Sequence, residues 1–234
     1  MSKPYKLTGF AGRVIAIDGP AGSGKSTTAR LLAKRLGYIY LDTGAMYRSV
    51  TLYALRKRIP LEDGAALEMA AREIRIEFAS EEEKDIVFMN GEDVSEAIRT
   101  PEVTAAVSQV SAHKGVREAM VRLQKKIGKK GNVVAEGRDT TSVVFPEADL
   151  KIYLEASIEE RARRRLIDFS KLNVSSTLGG QKADLERRDA YDSGREHSPL
   201  TRTDDAVIID TTDLSIEGQV DKIIKLAKAR FQGA

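Results

Sequence analysis

Near its start the chain carries the run Gly19-Pro20-Ala21-Gly22-Ser23-Gly24-Lys25-Ser26, which fits the pattern G-x-x-x-x-G-K-[S/T] and continues into Thr27. Each residue type in it suits the holding of a polyphosphate. Glycines let successive backbone N–H groups turn inward around phosphate oxygens, and a helix opening there adds its favourable dipole. A lysine at that position neutralises the β- and γ-phosphates of a nucleoside triphosphate, and a serine hydroxyl reaches its magnesium ion. Residues 19–27 are therefore the expected cradle for ATP, with Lys25 as a catalytic cation and Ser26 as the protein's ligand to Mg2+. A glycine-rich turn could match by chance, but the flanks argue against it. Val14-Ile15-Ala16-Ile17 reads as a short buried strand leading in, and Ser26 to Leu36 has helical spacing leading out, with Gly37 as its cap.

Three further groups have the chemistry of small-phosphate handling. Asp42-Thr43-Gly44-Ala45-Met46-Tyr47-Arg48 sets a polar turn and a helix start after a second strand, where a hydroxyl and an arginine can approach an acceptor phosphate. Glu136-Gly137-Arg138-Asp139 follows the strand Asn132–Ala135 at its carboxyl end, the edge at which open α/β sheets bind ligands. Arg188, Asp192 and Arg195 stand at i, i+4 and i+7, which puts them on one helix stripe if the helix reaches past Gly194. Any one of these alone is more simply a solvated face or a local ion pair. Their common setting after a phosphate loop favours function.

The elements that must position these groups alternate strand and helix. Strands are expected at 14–17, 38–41, 132–135, 150–154 and 206–209, with helices at 26–36, 44–58, 63–72, 102–128, 182–192 and from 215. Such alternation predicts an α/β fold: a central parallel five-stranded sheet flanked by helices. Ile74–Phe78 and Asp85–Met89 interrupt it as strands, with Asn90-Gly91 as a two-residue hairpin turn, and read as a small inserted β lobe. Ser157-Ile158-Glu159-Glu160 reads as a capping box opening a basic helix that holds Arg161, Arg163, Arg164 and Arg165. Residues 171–181 read as a polar, mobile link and 1–12 as an irregular arm. The expected organisation is one domain over 1–234: core at 13–58, 131–157 and 205–234, an acceptor-side lobe at 60–100, and a helical lid at 158–200.

Composition narrows the classes. The chain has no cysteine and only two histidines, which excludes a disulfide framework and makes a Cys- or His-built metal site unexpected. No apolar run reaches the roughly 18 residues that a membrane helix needs, and no signal peptide is evident, so the expected compartment is the cytoplasm. No aspartate has a glycine three residues on, and no asparagine precedes a lysine, which removes the GTPase reading. Leu178-Gly179-Gly180-Gln181 is a partial echo of the transporter-ATPase signature and is read as part of the mobile link. A phosphate-loop ATPase acting on nucleic acid is the alternative from another class. A net charge of +3 and 6% aromatic residues argue against its strand-binding groove.

With these residues assembled, the chain resembles the bacterial cytidylate kinases of the nucleoside monophosphate kinase superfamily. The likeness runs from Val14 to about Phe231 and rests on Ile17–Thr27, Leu41–Arg48, Glu92–Val103, Ser108–Glu118, and Gly137-Arg138-Asp139 followed by Val143–Ala148. The D-G-F-P-R run of adenylate kinases is absent. The resemblance implies a phosphate-loop kinase fold and transfer of phosphate from ATP to CMP or dCMP. Since nothing in the sequence demands an oligomer, a monomer is expected, without nucleic-acid or membrane partners. It implies that Ser108, Arg117 and Asp139 recognise cytosine, and that Thr43, Arg48 and Arg138 hold the acceptor phosphate in a pocket lined by Tyr47. It implies that Arg188 and Asp192 contact the pentose, Arg195 lies near the transferring phosphate, and Arg161 belongs to a lid over ATP. Glu136 stands where the family has aspartate, Thr43 where serine is common, and Thr140-Thr141-Ser142 where it has Met-Gly-Thr.

Overall fold

Short β-branched runs and amphipathic segments punctuated by glycine and asparagine produce eight strands and eight α-helices among the residues that the computed structural model describes, 10–81, 84–171 and 175–232. Most of the expected irregular arm (residues 1–9) and residues 172–174 of the polar link lie outside the described residues. Phe10, the first described residue, is buried and meets Phe231 edge-on at 4.9 Å between ring centres.

The chain divides into two compact units, residues 1–40 with 128–234, and residues 41–127. The first holds strands β1 (Val14–Asp18), β6 (Val133–Gly137), β7 (Leu150–Glu155) and β8 (Val207–Asp210) and the first half of β2 (Ile39–Asp42), which form one sheet in the order β2-β6-β1-β7-β8. β1 runs parallel to β6 and β7, and β7 parallel to β8. Strands that follow β1 lie on both its sides, which makes its carboxyl end a switch point of the topology, where such sheets bind ligands. Apolar residues of β1, β6, β7 and β8 bury one face of the sheet against helices α1 (Lys25–Leu36) and α8 (Ile216–Gln232), with Ile15, Ile17, Leu32, Leu154, Ile209 and Ile223 fully buried. Helices α6 (Ile158–Lys171) and α7 (Leu178–Gly194) pack on one another, and Leu185 and Ala162 share a smaller core with Ala21 of the glycine-rich loop.

The second unit holds α2 (Thr43–Lys57), α3 (Gly64–Glu73), α4 (Pro101–Ala112) and most of α5 (Lys114–Gly128), with an antiparallel sheet of β3 (Ile76–Glu81), β4 (Lys84–Met89) and β5 (Glu92–Asp93). It takes in the 60–100 lobe together with the helices on either side. Asn90 and Gly91 join β4 to β5 with φ of 53° and 85°, the left-handed pair that a tight hairpin turn of matching twist requires. Asp42, Asp63 and Thr100 cap α2, α3 and α4 through their side chains, and Pro101 takes the first position of α4, where its missing N–H costs nothing.

Two local expectations are corrected. Leu178-Gly179-Gly180-Gln181 is the first turn of α7, not part of a mobile link: Thr177 accepts from the Gly180 N–H at 3.1 Å and Gln181 is buried. The capping box at 157–160 is half-formed. The Ser157 hydroxyl accepts from the Glu160 N–H, but the Ser157 N–H donates to Thr212 Oγ1, while Glu160 turns to Arg163 and Arg164.

Candidate active site

β1 ends at Asp18 and α1 begins at Lys25, so the glycine-rich loop runs directly from a strand's carboxyl end to a helix N-terminus. Gly19 is fixed by close approach: a Cβ there would lie 2.0 Å from the Leu154 carbonyl oxygen of the neighbouring strand. Gly22, at φ 78°, passes over Arg161 with room only for hydrogen. The loop is held from outside at several points. Thr211 Oγ1 donates within hydrogen-bond distance of the Ser23 carbonyl (3.0 Å), Thr28 donates to buried Gln219 (2.6 Å), and the Ala21 N–H points at Asp189 (3.4 Å). Lys25 is buried and folds back on its own loop, donating to the Pro20 carbonyl at 2.7 Å. Burial pushes its pKa down to about 7, and the Arg138 guanidinium adds to that, while Glu136 and Asp18 pull the other way. Ser26 and Thr27 are exposed on the first turn of α1.

Two carboxylates frame this cradle. Glu136, buried near the end of β6, accepts from the Ser26 hydroxyl at 2.7 Å. Asp18, fully buried at the end of β1, accepts from the backbone N–H and the hydroxyl of both Thr140 and Thr141. Burial pushes the Asp18 carboxyl upward, opposed by those four donors.

Beyond β6 the expected arginines converge on one acid. Arg138 Nε donates to Asp192 Oδ2 at 2.8 Å, and Arg195 and Arg188 approach the same carboxylate at 3.7 and 4.0 Å. Asp192 is buried on α7. Burial works to raise its pKa, but Arg138, Arg195 and Arg188 outweigh that and hold it below the usual carboxylate range. α7 stops at Gly194, and Arg195 follows in extended conformation, so the stripe survives one residue past the helix. Asp139 is buried at φ −140° and ψ 21°, just before a single π-helical turn over 140–144. Such turns recur at functional sites.

The basic helix α6 divides its charges. Arg161 is buried and donates to the Ala21 and Ala156 carbonyls and to Asp189, the last at 2.5 Å, so it braces the glycine-rich loop from beneath. Arg164 reaches the Thr211 carbonyl and hydroxyl, Arg163 pairs with Glu160, and Arg165 lies over the Phe169 ring at 5.2 Å.

In the second unit, Asp42 caps α2 through the Ala45 N–H at 2.8 Å, which fixes Thr43 in the first turn with Arg48 further along the same helix. Thr43 is buried, and half-buried Arg48 makes no hydrogen bond or ion pair among the described residues. Arg117, near the start of α5, is buried. It donates to the Ser111 carbonyl at 3.1 Å and lies over the Tyr47 ring at 5.1 Å. Ser108, half-buried on α4, accepts through its carbonyl from the Ser111 hydroxyl.

Sequence reasoning did not assign roles to Asp18, Asp189, Thr211 or Gln219, and it named Glu136 only as part of the run after the third strand and as a departure from the family. Asp18 had a signal: it is a charge ending an apolar strand directly before the glycines. The others come from distant parts of the chain and carry no local pattern.

The cytidylate kinase family model matches residues 15–229. Cytidylate kinases of Bacillus cereus and Bacillus thuringiensis are each 48% identical to this chain over 217 residues, covering 93% of it and 96% of theirs. Among solved structures, an uncharacterised protein from Eubacterium ventriosum aligns with a TM-score of 0.50 at 13% identity over 94% of this chain and 99% of its own. Shikimate kinase from Bacteroides thetaiotaomicron aligns with a TM-score of 0.48 at 12% identity, over 92% and 98%. The structural likenesses concern the fold alone, but the family match spans every motif described above. The chain belongs to the cytidylate kinase family.

Proposed function

We propose that this kinase transfers the γ-phosphoryl group of ATP to the 5′-phosphate of CMP or dCMP. The observation that carries the assignment is the 48% identity to cytidylate kinases over 93% of the chain. A phosphate oxygen of CMP attacks the γ-phosphorus, the bond to the β–γ bridging oxygen breaks, and ADP leaves. That oxygen is already ionised at neutral pH, so alignment and charge neutralisation do the catalysis and no strong base is needed. Lys25 leaves the Pro20 carbonyl and turns to the β- and γ-phosphates. The guanidiniums gathered on Asp192 offset the charge of the group in flight, with Arg195 nearest the transferring phosphate and Arg188 and Asp192 at the pentose.

Thr43, Arg48 and Arg138 hold the acceptor phosphate, beside Tyr47. The half-burial of Arg48 without a described partner supports that role. Arg161 acts through the cradle it braces, and closure of α6 and α7 over ATP keeps water from the reaction. The site also fits Mg2+, since Ser26 and Glu136 put two hard oxygen donors 2.7 Å apart beside the phosphate loop. Held by Ser26 with Glu136 beside it, the ion would supply positive charge to offset that of the triphosphate during transfer.

Base choice follows from hydrogen-bond polarity. Cytosine presents an amino donor and a ring-nitrogen acceptor, which a carboxylate (Asp139) and a guanidinium (Arg117) complement, with Ser108 completing the set. Uracil reverses both positions and leaves buried groups unpaired at about 1–3 kcal/mol each. ADP formation with CMP, dCMP, UMP and AMP as acceptors tests the proposal. CMP and dCMP should lead by at least about tenfold, and equal rates with CMP and UMP would overturn the cytosine assignment.

The same proposal places the activity in the cytoplasm and in a monomer. Among the described residues no helix is long and apolar enough to cross a membrane. The inward use of Arg161 and Arg164 supports the absence of a nucleic-acid groove along α6. Sedimentation as a stable dimer, or ATP hydrolysis stimulated by RNA or DNA, would count against these parts.

A further inference from the structure

Asp18 is an acid that the phosphate transfer just described does not use, and it is among the most completely buried charged groups in the protein. It ends β1 and sits in register with Gly137 of β6, the residue before Arg138 and Asp139. Its two oxygens divide their partners evenly. Oδ1 receives the Thr140 N–H (2.9 Å) and hydroxyl (2.7 Å), and Oδ2 receives the Thr141 N–H (2.7 Å) and hydroxyl (2.6 Å). The anion thus caps the free N–H groups at the start of the π-helical turn over 140–144, the end at which negative charge is favoured. The same turn closes on Asp139 from the other side, because the Asp139 carbonyl accepts from the N–H groups of Val143 and Val144. Asp139 itself has an irregular backbone, at φ −140° and ψ 21°, that neither strand nor helix would impose.

We infer that Asp18, through the paired hydroxyls of Thr140 and Thr141, is a positioning device that aims the Asp139 carboxylate at its ligand, and so sets how strictly the acceptor base is chosen. This rests on the reading of Asp139 as a base-recognising residue. Two backbone amides alone would tie the turn to β1, but each would leave one degree of rocking about its bond. The added hydroxyls make each oxygen of Asp18 the target of two donors, which fixes the turn in rotation as well as in distance. Because Asp18 directly precedes Gly19, the base-reading residue is thereby tied to the foot of the phosphate loop.

The test replaces the two hydroxyls and keeps the amides. Thr140→Val with Thr141→Val preserves shape but removes two donors, whereas Thr140→Ser with Thr141→Ser restores them. The valine pair should raise KM for CMP about tenfold and narrow the CMP-over-UMP preference by a similar factor, as two lost hydrogen bonds of ordinary strength would. Its kcat and its KM for ATP should stay within about threefold of native, because Lys25 and the Asp192 cluster are untouched. The serine pair should recover most of the preference. A structural role alone would lower Tm in the valine pair without moving the ratio of CMP to UMP. An unchanged ratio therefore overturns the inference, and so does a serine pair as impaired as the valine pair. If the double valine variant fails to fold, Thr141→Val against Thr141→Ser gives the same comparison at about half the effect on a logarithmic scale. Asp139→Asn separates the two readings. If it leaves the CMP-to-UMP ratio native, the base-recognition reading has failed. If it collapses the ratio while the valine variants do not, only the positioning inference has failed.

Discussion

In the first unit Arg138 and Arg161 each lean on a buried or half-buried carboxylate, Asp192 at 2.8 Å and Asp189 at 2.5 Å, whereas in the second Arg117 donates to a backbone carbonyl and lies over the Tyr47 ring. The two grips suit different tasks. A carboxylate holds a guanidinium firmly before any ligand arrives and keeps several like charges close together, and an incoming phosphate then shares or displaces it. A carbonyl and an aromatic face orient the plane of the guanidinium. The first arrangement suits a group whose charge moves during reaction, and the second suits the fixed edge of a base. On the proposed roles, charge strength would matter in the first unit and donor geometry in the second.

That contrast can be broken at several points. The largest effect should come from Lys25→Ala, which removes the cation of the phosphate cradle and should lower kcat on the order of 10³-fold in a steady-state ADP assay. CDP formation at the native rate would remove the basis of the first unit's role. Next, Asp192→Ala leaves Arg138, Arg188 and Arg195 without their shared carboxylate. It should cost about 3 kcal/mol of folding stability in denaturant titration and about 100-fold in kcat/KM for CMP. A faster enzyme would mean that the carboxylate only competes with phosphate. Arg117→Lys keeps the charge but loses the planar fork. KM for CMP should rise about tenfold with kcat little changed, and a native KM would show that charge suffices in the second unit too. The smallest effect belongs to Arg56→Ala, which deletes an exposed two-point pair with Glu92 and should move neither activity nor Tm measurably.

Most of the fold was legible because its signals are local. The apolar runs gave the five strands of the main sheet, Gly37 ended α1, Thr100-Pro101 opened α4, and Asn90-Gly91 made its turn with both residues left-handed. The start of α7 was missed because Leu178-Gly179-Gly180 has poor intrinsic helix propensity, and the Thr177 cap together with burial of Leu185 and Gln181 overrides it. Within the site, the phosphate loop was legible because its demands fall on consecutive residues. The departure at Thr140-Thr141 was visible in the sequence, yet its use was not. Asp18 lies more than a hundred residues away, and only the parallel register of β1 with β6 brings the two together.

The buried lysine that folds onto its own loop has one more consequence. Free lysine titrates at 10.5, but Lys25 in the fold does so at about 7. Between those values the unfolded chain carries a proton that the folded one lacks, so this group makes the ligand-free protein more stable as pH climbs. A triphosphate beside the amine favours its charged form, so donor binding above about pH 7 must draw a proton from solvent, and affinity falls as pH climbs. The two slopes have opposite sign and a common origin. Calorimetric titration with ATP at about pH 8.5 should therefore give heats that change with the ionisation enthalpy of the buffer, and a Lys25→Met protein should lose that dependence.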